Sequence, residues 1–198
     1  MAQSPEIRTA RLLITPLSEL HLTKRYLGWL NDRQLMKYSE QRHKTHTVES
    51  CDSYRKSFDG TPHYFWAIEE VVKGLGHIGN MNAYVDPNNC LADLGILIGE
   101  SSASNQHYGL EAWIAVCHFL FNEVGIRKVT AGTIALNAPM IRLAKHAGMV
   151  NDGVRTRHYI CEGQEVDILY FALYKQNSGD SSLPGQPEAP AVTNDQIS

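Results

Sequence analysis

The stretch from Ala92 to Met149 reads ADLGILIGE (92–100), SSASNQHYG (101–109), LEAWIAVCHFLFNEVG (110–125), IRKVTAGTI (126–134) and, after Ala135 and Leu136, NAPMIRLAKHAGM (137–149). The first and fourth blocks are short β-rich runs. In the third, Leu110, Trp113, Ile114, Cys117, Phe121 and Val124 recur every three or four residues, which predicts a helix over 109–123 with one face on a sheet. A strand over Arg127–Thr133 and a helix over Asn137–His146 follow, with Gly148 at the expected helix stop. A helix that opens near Tyr108 and Gly109 turns unpaired N–H groups and its positive dipole end toward the preceding strand. Main chain alone can therefore hold an anion the size of a pyrophosphate there.

Outward from this stretch the chain alternates in the same way. Arg11–Pro16 reads as a short strand and Leu17–Asn31 as a helix, with apolar positions at Leu20, Leu22, Leu27 and Leu30. Thr47 can cap a second helix that runs to about Phe58, where Asp59-Gly60 and Thr61-Pro62 stop it. Tyr64–Glu69, Gly76–Tyr84 and Cys90–Gly99 are β-rich runs separated by the turn-like VKGLG and VDPNN, a pattern that suggests an antiparallel meander. Asn151–Cys161 and Glu165–Tyr174 read as two strands joined around Glu162-Gly163-Gln164. The expected architecture is an α/β (α+β) fold: one twisted, mixed, mostly antiparallel sheet with helices on both faces.

With 198 residues, 43% of them apolar, the chain is long enough for one core and too short for two comfortable ones. One domain is expected over residues 1–176. Residues 177–198 carry Pro184, Pro187 and Pro190 among Ser, Gly, Asp and Gln, a composition that predicts a disordered tail. A net charge of −3 gives no broad electrostatic reason to expect nucleic acid or an anionic membrane as partner. No apolar run reaches membrane-spanning length. The four cysteines, at 51, 90, 117 and 161, form no C-x-x-C pair, and MAQSPEIRTA lacks the apolar run of a signal peptide, so free thiols and a cytoplasmic location are expected. The nine histidines show no metal-ligand spacing, so no metal is expected.

Four segments carry a resemblance that covers roughly Arg8 to Lys175: WLND (29–32), GHIGN (76–80), LGILIGE through HYGLEA (94–112), and Asn137 with Gly148-Met149. In order and motif they resemble the GNAT superfamily of acyl-CoA-dependent N-acyltransferases, in particular its ribosomal-protein N-terminal acetyltransferase-like branch. The resemblance implies acetyl-CoA as co-substrate and direct attack of a neutral amine on its thioester. It implies a strand splayed from its neighbour, so that backbone at Leu97, Ile98 and Gly99 meets the pantetheine arm. It also implies that the loop and helix start at Asn105, Gln106, His107, Tyr108, Gly109 and Leu110 hold the pyrophosphate, and that Asn137 lies near the pantetheine.

The loop departs from the family pattern Gln/Arg-x-x-Gly-x-Gly/Ala, since it reads Ser104-Asn105-Gln106-His107-Tyr108-Gly109 and lacks the first glycine. Asn and His tolerate the left-handed conformation, so Asn105 and His107 can close the loop in its place. Counting back from the loop, Asp93 falls where histone-type members place a glutamate base; acting near neutral pH would require a raised pKa or a water relay. Asp93 and Asn137 are thus the candidate catalytic residues, with Asp93 equally suited to an ion pair or a backbone contact. The family's tyrosine acid is replaced by Ala144, leaving His146, Tyr108, His158, Tyr159 or water as the thiolate's proton source.

The acceptor pocket implied by the resemblance is built from 29–47 and 151–164, with Tyr26, Trp29, Tyr38, Glu40, Arg42, His43, His158 and Tyr159 nearby. Aromatics mixed with both charges suit a small polar amine, such as a nucleotide-linked amino sugar, better than a polycation. A peptide N-terminal amine is the main alternative acceptor, and a binding module without catalysis is the alternative in a different class. Leu169 and Phe171 suit either the core or a homodimer interface.

Overall fold

A computed structural model of the protein describes residues 4–176; the tail expected over 177–198 lies outside the described residues. Eight strands form one sheet: β1 (Ile7–Arg8), β2 (Leu12–Pro16), β3 (Tyr64–Glu70), β4 (Gly76–Asp86), β5 (Leu91–Ile98), β6 (Lys128–Ile134), β7 (Val150–Cys161) and β8 (Gln164–Tyr174). They lie in the order β1-β2-β3-β4-β5-β6-β8-β7, and only β5 and β6 pair in parallel. The mixed, mostly antiparallel sheet is the expected one. The two-residue strand β1, too short for periodicity to reveal, was not foreseen.

Four helices cover the sheet: α1 (Lys24–Asn31), α2 (Val48–Lys56), α3 (Tyr108–Phe119) and α4 (Ala138–His146). Strand alternation assigns them to faces. Tyr64, Trp66 and Ile68 of β3 share a core with Ala112, Trp113 and Val116 of α3, whereas Phe65 and Ala67 pack with Tyr26 and Trp29 of α1 and Cys51 of α2. The helix expected from Leu17 starts instead at Lys24. Residues Glu19–His21 form a separate 3₁₀ turn, and the Thr23 hydroxyl accepts from Tyr26 N to set the new start. Thr47 caps α2 as expected, with Ser50 completing a capping box. Helix α3 is regular to Phe119 and then widens into a π turn over Leu120–Val124 that Gly125 ends at φ 81°.

The feature that positions the site is the parting of β5 from β6. Their pairing covers Leu91–Asp93 against Lys128–Thr130 and ends there. Beyond it β5 stays with β4 as far as Ile98 opposite Gly79, while β6 follows β8 as far as Ile134 opposite Ile168. Residues 94–98 of β5 therefore have no strand on that side, and their backbone groups facing the gap are available to a ligand.

Candidate active site

Two cavities lie against β5. The larger, about 670 Å³, fills the gap between the parted strands and is lined by Leu94–Ile98, Gly132–Ile134, Asn137, Met140, Leu143 and the tyrosines Tyr38, Tyr159 and Tyr170. The second, about 480 Å³, lies on the α1/α2 side and is lined by Tyr26, Met36, Lys44, His46, Tyr54, Asn80, Asn82 and Tyr84 among others. Met36, Ser39, Gly95, Ile96 and Leu97 line both. The wall between two substrates would thus be the strand itself, which suits transfer from one side to the other.

The loop that leads from β5 into α3 has the backbone expected of it. Asn105 (φ 58°) and His107 (φ 60°) are both left-handed. His107 is the N-cap residue of α3 and gives no side-chain cap, so among the described residues the amides of Tyr108, Gly109 and Leu110 start the helix without a partner. A Cβ added at Gly109 would come into van der Waals contact with Ile96, Ile98 and Leu143, so this end of α3 lies beside the exit of β5. The loop is held from outside. Arg11 donates to the Gln106 carbonyl (3.0 Å), lies over the Tyr108 ring (4.5 Å) and pairs with Glu111 (2.6 Å). Burial opposes the Glu111 charge, but hydrogen bonds from Thr9 and Arg11 prevail and hold its carboxyl below the usual range. The donor set is a row of amides, an exposed imidazole and strand backbone, which fits a pyrophosphate and an amide-bearing arm.

Asn137 lines the gap and caps α4: its Oδ1 accepts from Met140 N (3.3 Å) and its Nδ2 donates to Thr133 Oγ1 (3.0 Å). Leu97 and Ile98 line the gap, while Gly99 packs so closely under Trp29 that a Cβ would overlap the indole. Trp29 is accordingly buried core rather than pocket wall.

Asp93 lies elsewhere. It belongs to the paired part of β5, opposite Thr130 and Tyr84, on the α1/α2 face but outside the linings of both cavities. Desolvation by its neighbours raises its carboxyl above the usual range although the residue keeps an exposed edge; the hydrogen bond from Thr130 Oγ1 (2.7 Å) acts the other way. Among the proton donors weighed for the thiolate, Tyr159 lines the gap, His146 and His158 are exposed, and Tyr108 is buried under Arg11. Ala144 is fully buried, while its neighbours Met140 and Leu143 on α4 line the gap. Phenols instead reach the gap from Tyr38, Tyr159 and Tyr170.

Sequence reasoning gave no individual site role to His46, Asn80 or Asn82, although Asn80 closes the GHIGN motif. The signal was present in β4, where polar Asn80, Asn82 and Tyr84 alternate with buried Met81, Ala83 and Val85. Glu40 and Arg42 pair with each other at 2.7 Å, and Arg42 also donates to the Ile160 carbonyl. Among the described residues no cluster of three or more His, Cys, Asp and Glu side chains is placed to hold a metal, and no helix is long and apolar enough to cross a membrane.

Comparison with known proteins agrees with this geometry. No curated protein matches the chain in sequence. Among solved structures, a GNAT-family acetyltransferase from Bacillus anthracis superposes with a TM-score of 0.73 at 18% identity, over 86% of this chain and 98% of that one. RimL, a ribosomal L7/L12 α-N-protein acetyltransferase solved with coenzyme A, gives 0.76 at 14% identity, over 86% and 98%. Spermidine N-acetyltransferase from Vibrio cholerae, solved with CoA and spermine, gives 0.74 at 15% identity, over 84% and 96%. At these identities the likeness establishes the fold. The sequence model of the acetyltransferase (GNAT) domain matches residues 11–150, which span β2 through α4 and the start of β7, and the chain therefore belongs to the GNAT family of acyl-CoA-dependent acetyltransferases.

Proposed function

We propose that the protein transfers an acetyl group from acetyl-CoA to the primary amine of a small polar acceptor, with a nucleotide-linked amino sugar as the type. In this reading the gap between β5 and β6 takes the pantetheine arm against Leu97, Ile98 and Asn137. The Asn105–Leu110 segment takes the pyrophosphate. The observation that carries the acceptor class is the lining of the cavity on the α1/α2 side, which contains no carboxylate and one cation, Lys44. An adjoining recess of about 290 Å³ adds Arg33, Arg42 and His43, with Asp32 bound to the amides of Gln34 and Leu35. A polycation would meet Lys44 and Arg33 there, with Asp32 already engaged by backbone amides, whereas an amine attached to a phosphate-bearing carrier would meet complementary charge.

The chemistry asks for a deprotonated amine, a polarised carbonyl and a proton for the leaving sulfur. Backbone of the open edge of β5 supports the second, and Tyr38, Tyr159 or Tyr170 supports the third. Asp93 acts in this reading through water, since it lies outside the cavity wall.

The test is release of CoA thiol from acetyl-CoA with three acceptors: a UDP-linked amino sugar, a peptide with a free N-terminus, and spermidine. The amino-sugar nucleotide is expected to give the highest kcat/KM. Preference for spermidine would overturn the acceptor class, and preference for the peptide would move it to protein N-termini. Asp93→Asn is expected to lower turnover while acetyl-CoA still stabilises the protein; unchanged turnover removes Asp93 from proton transfer.

A further inference from the structure

We propose that Asn80 and His46 form the seat of the acceptor amine, and that His46 Nε2 takes up the proton the amine releases. The inference rests on the acyltransferase reading above and assigns the chemistry of its acceptor side. It begins with two atoms. Asn80 Oδ1 and His46 Nε2 are both buried, have no hydrogen-bond partner, and belong to residues that line the same cavity. A buried polar atom left unpaired is costly, and two in one cavity mark a place where a ligand completes the bonding. Asn80 Oδ1 can only accept. With the ring proton on Nδ1, His46 Nε2 also accepts. Two acceptors in the lining of one cavity suit a ligand with at least two N–H donors, which a primary amine has.

Their position relative to β5 fits. Asn80 pairs directly with Leu97 across the β4–β5 ladder, and Leu97 is one of the residues that line both cavities. An amine held by Asn80 therefore sits beside the strand along which the thioester lies, on the opposite side from the acyl donor.

The other titratable groups of the cavity do not offer a base. Burial pushes the Tyr26 and Tyr54 phenols up, with the Cys51 charge adding to the first and the Tyr84 hydroxyl to the second. It raises the Cys51 thiol as well. The Tyr84 hydroxyl is bonded to Tyr54 at 2.6 Å, and Lys44 is a cation. His46 is the side chain left in that lining with a nitrogen lone pair able to accept a proton.

The backbone that carries the ring is also held in place. The Asn31 side chain brackets the His46 backbone, with Oδ1 accepting from His46 N and Nδ2 donating to His46 O, both at 2.9 Å. The next residue, Thr47, caps α2. The WLND and GHIGN motifs thus acquire roles: the asparagine of the first orients His46, and the asparagine of the second receives the amine.

The step balances as follows. An ammonium arriving at the seat passes one proton to His46 Nε2. The amine's lone pair forms the C–N bond, the C–S bond breaks, and the amine's second proton reaches the departing sulfur by way of a phenol of the gap, giving the amide, CoA thiol and an imidazolium that returns its proton to water, the route on which Asp93 acts.

The experiment compares wild type, His46→Gln, His46→Ala and Asn80→Ala, using acetyl-CoA and the UDP-linked amino sugar as probes. Acetyl-CoA-dependent stabilisation is expected in all four, because neither residue lines the gap. The kcat/KM of His46→Gln is expected to fall about 100-fold or more at pH 7, with loss of the acid limb of the wild-type pH–rate profile. Added imidazole is expected to restore part of the activity of His46→Ala. Asn80→Ala is expected to act mainly on the KM for the amine. Retained acetyl-CoA stabilisation with wild-type kcat/KM and an unchanged acid limb in His46→Gln overturns this assignment alone. Absence of acetyl-CoA stabilisation in wild type overturns the acyltransferase reading beneath it.

Discussion

His107 shows how one residue type serves two requirements at the start of α3. Its left-handed backbone aims the first amides of the helix outward, a conformation that glycine adopts without penalty and that costs other residues about 1–2 kcal/mol. His107→Gly relieves that strain but adds a comparable freedom to the unfolded chain, so stability is expected to change by less than about 1 kcal/mol. CoA affinity is expected to fall several-fold, because the exposed imidazole that can meet a phosphate is gone. Calorimetric titration of the variant with CoA checks this, and unchanged affinity would reduce His107 to a backbone device. The loop conformation was legible from residue type, since Asn and His are the non-glycine residues that accept positive φ. That Asp93 falls outside the linings of both cavities was not legible, because counting along a strand fixes its face and leaves open where the neighbouring strand departs.

Between elements, the contact of α1 with β4 turns on a histidine held neutral. His77 packs against the rings of His21, Tyr26 and Trp29, and Arg25 donates to its carbonyl. Its Nε2 bonds to Gly79 O at 2.9 Å. Burial, with the His21 and Arg25 charges, lowers its pKa to about 4 despite that bond. An unfolded histidine titrates near 6.5. The folded value lies below the unfolded one, so as pH falls from about 6.5 the unfolded chain binds the proton first and stability is lost down to about pH 4, where the loss levels off. The loss from this group amounts to at most about 3 kcal/mol. Urea denaturation of wild type and His77→Gln at pH 7 and pH 4.5 measures it. The variant is expected to lose less stability over that interval, and equal losses would show that His77 is not protonated on unfolding. Periodicity identified α2, β3, β4 and α4 closely. It misplaced the start of α1, because apolar Leu20 and Leu22 continue a helical spacing that the backbone breaks at the Glu19–His21 turn.

At the scale of the whole molecule, one strand, β5, lines two cavities at once. Its clearest consequence is linkage: a ligand that binds only the folded state stabilises it by about 2.7 kcal/mol at 100 times its Kd. For a chain of this length that corresponds to a rise in Tm of about 5–10 °C. Acetyl-CoA titrated against wild type in a thermal-shift experiment is expected to give a saturable rise of that size. No rise at millimolar ligand would favour a binding module without catalysis.

The sequence by itself determined the order of strands and helices, the helix start after a left-handed loop and the missing tyrosine at Ala144, because these depend on residue type and on spacing within a few turns. Only the tertiary structure decided that β5 leaves β6 after Asp93, that phenols from Tyr38, Tyr159 and Tyr170 meet in one gap, and that His46 and Asn80 face one cavity. Those facts join residues from distant segments. No local preference encodes such contacts: they follow from how the packed elements part and close on one another.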